Sequence, residues 1–462
     1  TAIGNSEFSS ATGLTTIAVS DTTVDATTLA ARIDSYDSIN GGGTTDMTLA
    51  SGATINVDAG EITAMLADET AGRLTIDDQV ITVTGAITVD NANLLGATTT
   101  GKVTATIATT ETVTELATLS ADGGANDLTI VIRDADATAA TAEQLNAIDA
   151  ATSLAVDATA VTDLSGSYSD LVTLYGSSGV TGLENENITI TGGSLTVTQA
   201  NAIDLLTTGV VTASITTSQT VDELNTLTGT GNAYTIVIAG GDATATTAAE
   251  FNSINGKTTL AVDLTNVTAL AASSLSDLGT LATAITNSEF NNASGLTTIA
   301  VSDSTIDATT LAARIDSYDT INGGSATTGM TLTSGATINV DSGEVTEMLA
   351  DESAGRLTIG DQIITVTGAI TVDNANLLGA TTTGKVTATI ATTETVTELA
   401  TLSADGGTND LTIAIRGADA TAATAAQLNT INAATALAVD LTNVTGLAAS
   451  SLSDLGTLAT AI

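Results

Sequence analysis

The chain of 462 residues contains no cysteine, histidine, proline or tryptophan, and its only rings are five tyrosines and three phenylalanines. Without imidazole or thiol there is no Ser/His triad, no thiolate nucleophile and no ordinary zinc site, so any chemistry would fall to carboxylates, hydroxyls or tyrosine. Basic residues are almost as scarce: nine Lys and Arg stand against 52 Asp and Glu, for a net charge of −43. Nucleic-acid binding needs a basic stripe to neutralise phosphates, and these nine are scattered, so no nucleic-acid partner is expected. No run is long and apolar enough to span a bilayer, so no transmembrane segment is expected. The opening TAIGNSEF has no basic region or apolar core of a secretory leader. The missing cysteine leaves the redox compartment open.

What remains is still rich in surface to bury. Hydrophobic residues make up 43% of the chain, arranged in β-branched strings such as LTIVI and IITV, which argues against disorder despite the charge. So few rings would leave the middle of a conventional globular core unfilled. A thin, stacked architecture can be filled by Ile, Val, Leu and Ala alone.

Internal repetition organises the whole sequence. The text from Asn5 to Asp157 returns almost unchanged from Asn287 to Asp440: GLTTIAVSD at Gly13 recurs at Gly295, and GKVTATIATTETVTELATLSADGG at Gly101 recurs at Gly384. A diverged repeat lies inside, where GAITVDNANLLGATTTGKVTATI at Gly85 is echoed by GSLTVTQANAIDLLTTGVVTASI at Gly193. The expected organisation is a block over 1–285, with inner sub-blocks at about 76–157 and 182–263, running without a linker into a shortened copy over 286–462. After Asp440 the chain continues as it does after Asp263, so one copy has skipped an internal block without disturbing its flanks. A solenoid tolerates this and a closed core does not. The closing ATAI could also run on into the opening TAI and NSEF, which reads as one stretch of a longer polymeric chain.

The smallest unit reads as a strand followed by a short helix. KVTATI, DLTIVI, NITIT and YTIVI alternate with period two. A capping box then follows, at Asp58/Glu61, Thr112/Glu115, Thr141/Gln144, Thr220/Glu223, Thr247/Glu250, Asp341/Glu344, Thr395/Glu398 and Thr424/Gln427. Apolar residues three apart (Leu116 and Leu119, Leu145 and Ile148, Leu224 and Leu227) give each helix one buried edge, and SADGG, TGTG or INGG stops it. Each unit takes roughly 22 to 32 residues, within the range of solenoid coils. The fold class is therefore an α/β repeat solenoid with a parallel strand and a short helix per coil, β-helix-like, with an all-β parallel β-helix as the alternative.

Aspartates close many of the apolar strings: Asp21, Asp58, Asp90, Asp157, Asp263, Asp303, Asp341, Asp373 and Asp440. Stacked coils would line them up, and the functional reading is a ladder of Ca²⁺ sites that relieves like-charge repulsion. The bland reading is that each caps a turn or helix. No EF-hand or glycine-rich calcium nonapeptide is present. Thr-x-Thr pairs (Thr82/Thr84, Thr104/Thr106, Thr189/Thr191, Thr196/Thr198) read as solvated strand hydroxyls, with ice binding a remote alternative. Asn187, Asn266 and Asn443 open glycosylation sequons, at the frequency chance gives in a Thr-rich chain. The pairs Asp77/Asp78 and Glu184/Glu186 could act on a polysaccharide, but no aromatic platform or basic anchor accompanies them.

The TTETVTELATL and LAASSLSDLGTLATAI phrases, the Thr/Ala/Asp-rich wording and the tandem copies together resemble the giant repeat proteins on the surface of marine cyanobacteria and related bacteria, of the swimming-motility and surface-layer type. That resemblance implies an exported structural or adhesive role at the cell surface. The expectation is a non-enzymatic extracellular filament, sheath or S-layer-like coat that self-associates end to end or laterally, with cell-surface glycans as further partners. The alternative is the stalk of a large adhesin.

Overall fold

The VTATI string forms the strand Val103–Ile107, and alternation decides its faces: Val103, Ala105 and Ile107 are buried while Thr104 and Thr106 lie outward. The computed structural model describes residues 11–120, 125–242, 244–324, 328–403 and 408–462. The chain divides into two compact units, one of Thr1–Ser214 with Gly231–Tyr234 and the other of Ile215–Thr230 with Thr235–Ile462.

In the first unit the strands Thr23–Asp25, Thr54–Asp58, Val80–Ile87, Val103–Ile107 and Asp127–Thr129 pair in sequence order, every pair parallel. Thr16–Val19, Asp46–Leu49 and Leu74–Thr75 form another parallel sheet, and Asp163–Gly166, Asn187–Ile190 and Val211–Ser214 pair the same way. The second unit repeats the first arrangement with Thr305–Asp307, Thr337–Asp341, Ile363–Ile370, Val386–Ile390 and Asp410–Thr412. Beside it run Ala269–Ser273, Thr298–Val301, Gly329–Leu332 and Leu357–Thr358. Helices separate successive strands, because parallel neighbours need a crossover. The whole is a set of short parallel strands in several sheets interleaved with helices, compatible with an α/β repeat fold. A strand with the helix that follows it is termed a row below.

Register stacks like on like. Val24 faces Ile55, Ile55 faces Ile81 and Ile81 faces Val103; in the second unit the column is Ile306, Ile338, Ile364 and Val386. Each fully buried side chain of this kind contributes about 1.5–3 kcal/mol, which is how a core with few rings is held. The helices and the turns that follow them add a second wall: Leu116, Leu145, Ile148 and Leu224 are buried on helices, and Leu119 and Leu227 are buried just past the ends of Val113–Leu116 and Val221–Asn225. Nearly identical text gives matching elements, so Ala26–Ile39 corresponds to Ala308–Ile321, Val89–Thr98 to Val372–Thr381 and Ala142–Ala150 to Ala425–Ala433.

Seven of the eight expected capping boxes are formed. At the eighth, the Asp341 N–H reaches Glu344 at 3.3 Å, but the helix starts later, at Val345. A further box, Thr196 with Gln199, stands where the Thr196/Thr198 pair reads as strand: Thr196 is the N-cap of Val197–Asp204 and Thr198 lies inside that helix. The helix stop at INGG is made by Gly41 and Gly42, both at positive φ, whereas the glycines of SADGG at 121–124 and 404–407 lie outside the described residues. No helix among the described residues is long and apolar enough to cross a membrane.

Candidate functional site

The nine aspartates do not share one environment. Asp58 and Asp341 end the strands Thr54–Asp58 and Thr337–Asp341, and Asp157 and Asp263 end Val156–Asp157 and Val262–Asp263. Asp440 makes an isolated parallel bridge to Ala414, and Asp21 and Asp303 follow their strands by two residues. Asp90 and Asp373 correct the strand-end reading. Each sits in the first turn of a helix, Val89–Thr98 or Val372–Thr381, after a threonine N-cap, so the last two letters of ITVD already belong to the helix. There the carboxylate favours the positive end of the helix dipole.

Local hydrogen bonds occupy Asp157, Asp263 and Asp440. Asp157 Oδ1 accepts from the Thr159 hydroxyl at 2.6 Å and the Thr159 N–H at 3.0 Å, and Asp440 takes the same pair from Thr442. In each the hydroxyl first, then the backbone bond, holds the carboxyl below its ordinary range. Burial works against ionisation at Asp263, but bonds from Thr265 and from Asn292 of the next row outweigh it and lower its pKa. Row stacking therefore brings an amide, rather than a second carboxylate, to Asp263. Among the described residues no group of three or more acidic side chains is placed to hold a metal ion.

The polar groups that the rows do bring together bind row to row. Three Thr-x-Gly steps follow helices. Thr99 donates its hydroxyl to the Gln79 carbonyl at 2.6 Å and accepts from the Gly101 N–H at 2.9 Å; Thr207 with Gly209 and Glu186, and Thr382 with Gly384 and Gln362, repeat those distances. A second set answers the unsatisfied N–H groups at helix starts. The first N–H of Val113–Leu116 donates to Asp136 of the next row at 2.8 Å, and likewise Val396 to Asp419, Leu275 to Asp303 and Ala248 to Ser273. Asp303, one of the nine aspartates, thus caps a helix in the preceding row.

Positive charge is spent in the same way. Arg73 sits among Asp34, Asp37 and Asp68, and Arg356 among Asp316, Asp319 and Asp351. Arg133 and Arg416 hold the capping carboxylates Asp136 and Asp419 at 2.8 Å. Asp351 is the most enclosed of these acids, and burial raises its pKa against the pull of Arg356. The contacts of Arg73 and Arg356 with the preceding row, and the Thr-x-Gly steps, escape a reading by motif, because those partners lie 20 to 40 residues apart. The signal available was the recurrence of TTG after an LL- or ID-bearing helix, at 99–101, 207–209 and 382–384.

One carboxylate of each pair considered for polysaccharide chemistry is engaged too. Asp78 accepts from the Ser51 hydroxyl at 2.5 Å and the Gly52 N–H at 3.0 Å, while Glu186 is buried and accepts from the N–H groups of Glu184 and Asn185. One surface hollow in the second unit combines Asn252, Ser276, Gly279, Glu289 and Arg314, with the Arg314 Nε donating to the Leu275 carbonyl at 3.1 Å. No family model and no curated protein matches the chain.

Proposed function

We propose that this chain is a non-enzymatic structural protein of the cell surface, a repetitive acidic α/β solenoid that forms a filament, sheath or layer. The observation that carries this reading is the use of polar side chains between rows: threonine hydroxyls, aspartate caps and arginine clusters each tie one row to its neighbour. Such bonding makes a material that can be lengthened by adding rows, since each row contacts chiefly the ones beside it.

Gold-labelled antibody on intact cells that make the protein tests the location and the role together. The expected image is a continuous coat or fibres outside the envelope. Label confined to the cell interior overturns the reading, and label only along isolated projecting arms replaces it with an adhesin stalk.

The charge of −43 gives the reading a second consequence, because an acidic assembly repels itself unless cations gather on it. Calcium bridging between rows predicts a lower melting temperature when chelator is added at constant ionic strength. Coincident melting curves assign the task to diffuse screening by monovalent ions.

A further inference from the structure

Helix Leu275–Thr286 carries a glycine in its interior, Gly279, where any residue but proline would favour the helix more. What the glycine admits is Arg314 of helix Ala308–Ile321. A Cβ at position 279 would stand within 2.7 Å of Arg314 Nη2, Cζ and Nε alike, so the guanidinium lies face-on over the bare Cα. Its Nε donates to the Leu275 carbonyl at 3.1 Å, and one turn further on Tyr318, buried, donates to the Leu278 carbonyl at 3.1 Å. Two bonds and a close approach thus fix the arginine in place.

Arg73, Arg133, Arg356 and Arg416 each hold aspartates. Arg314 does not: the bond from Nε is the one hydrogen bond it makes among the described residues, and no acidic side chain there pairs with it. It lines a surface hollow of about 480 Å³ within the second unit, with its Nη groups uncommitted.

The end of the same helix builds another part of the lining. Ser288, at φ 64°, lies in the left-handed region that favours glycine and turns the chain so that the Glu289 N–H reaches the Ala284 carbonyl at 2.9 Å. Glu289 is then held by amides, one carboxylate oxygen by Asn255 at 2.5 Å and the other by Asn287 at 3.4 Å. Ser276 and Thr280, both exposed, add hydroxyls. Apart from Gly279 and Ala284, every lining residue carries an amide, hydroxyl or charged side chain. The size is that of a small-molecule site, about 300–1,000 Å³, without the apolar walls such sites usually have. That suits a ligand bearing hydroxyls on most of its carbons.

We propose that this hollow binds a uronic-acid residue of an acidic polysaccharide. The ligand carboxylate takes the planar fork of Arg314, whose N–H donors match its two oxygens. Ring hydroxyls donate to Glu289 and exchange hydrogen bonds with Ser276 and Thr280. A neutral sugar would leave the guanidinium unpaired, and a bare carboxylate would leave Glu289 and the hydroxyls to water. The site adds a ligand to the structural reading and does not depend on it.

Titration calorimetry of the 462-residue chain with D-glucuronate, and with glucose and acetate as its two halves, tests the site. Glucuronate is expected to bind ~10-fold or more tightly than either control, the worth of one charge-assisted contact. Arg314→Lys keeps the charge but loses the fork, and should weaken glucuronate binding by ~10-fold or more. Thr280→Glu leaves Arg314 in place and puts a carboxylate into the hollow from an exposed helix position. Glutamate is the better helix former, so the melting temperature should hold while glucuronate binding is lost. Equal affinity for glucuronate and acetate would show a carboxylate contact without sugar recognition and overturn the proposal. Glucuronate binding that survives Thr280→Glu, or a wild type that binds no glucuronate, overturns it as well. Each of these results leaves the structural reading to the cell-labelling experiment.

Discussion

Gly101→Ala is expected to cost about 3 kcal/mol or more, the upper range for forcing atoms into a packed site. A Cβ there would stand 2.6 Å from the Asp78 carbonyl oxygen and closer still to that of Gln79. Both are backbone atoms of the preceding row, which Thr99 holds at the Gln79 carbonyl and Thr100 holds at the neighbouring Asp77 carbonyl, so neither can swing aside as a flexible side chain would. Gly209 and Gly384 meet the Glu186 and Gln362 carbonyls in the same way and should behave alike. Gly96 is the matched control: it lies inside helix Val89–Thr98, its added Cβ would meet nothing nearer than 3.7 Å, and alanine there should gain up to about 1 kcal/mol. Urea unfolding of the two variants separates them. Equal midpoints would refute the claim that the rows close on each other at the Thr-x-Gly step.

Glu186→Gln should move stability the other way. Gln79 and Gln362 occupy the corresponding positions before their strands, and both are buried. Each accepts a backbone N–H through Oε1 at 2.6 Å and donates through Nε2 to a carbonyl of the row before, Ala50 at 3.2 Å or Thr333 at 3.1 Å. Glu186 reproduces the accepting half with Oε2, but its buried Oε1 has no hydrogen-bond partner among the described residues. A carboxylate has no N–H to give, so the donating half of the glutamine pattern is absent. Restoring glutamine should stabilise the chain by about 1–3 kcal/mol at neutral pH, the cost of a buried polar atom left unpaired. Thermal or urea unfolding measures it, and a loss of stability would mean that Glu186 is engaged in a way its neighbours' geometry does not provide.

The strands and most of the helix starts were legible because each is fixed by a few adjacent letters. VTATI alternates within five residues, and Thr112, Thr220, Thr247 and Thr395 each cap a helix with a glutamate three places on. Errors fell where two such local codes overlap. In ITVDNANLLGAT and SLTVTQANAID the β-branched string runs straight into the cap, so Asp90, Asp373 and Thr198 looked like strand residues when the N-caps Thr88, Thr371 and Thr196 had already begun the helix. The row-to-row bonds were beyond such reading. Nothing near Arg73 in the sequence announces Asp37, which lies 36 residues away; only the register that stacks Leu74 on Met47 brings their rows together. For the same reason Asp21 and Asp303 stood out as a regular spacing, while the helix N–H that Asp303 serves could be found only in three dimensions.

The spacing of these bonds also bears on how the chain folds. The long-range hydrogen bonds described above join residues about one row apart, such as 20 for Thr99 to Gln79, 23 for Val113 to Asp136 and 40 for Tyr318 to Leu278. Closing a loop of that size costs an entropy that depends on the row, and no later row has to close a longer one. Sequence separation between contacting residues therefore stays fixed while length grows, so the search that limits folding of ordinary β-rich proteins does not lengthen with the number of rows. Each newly made row can settle on the one before it as it emerges, which allows a chain of this design to become very long and still fold.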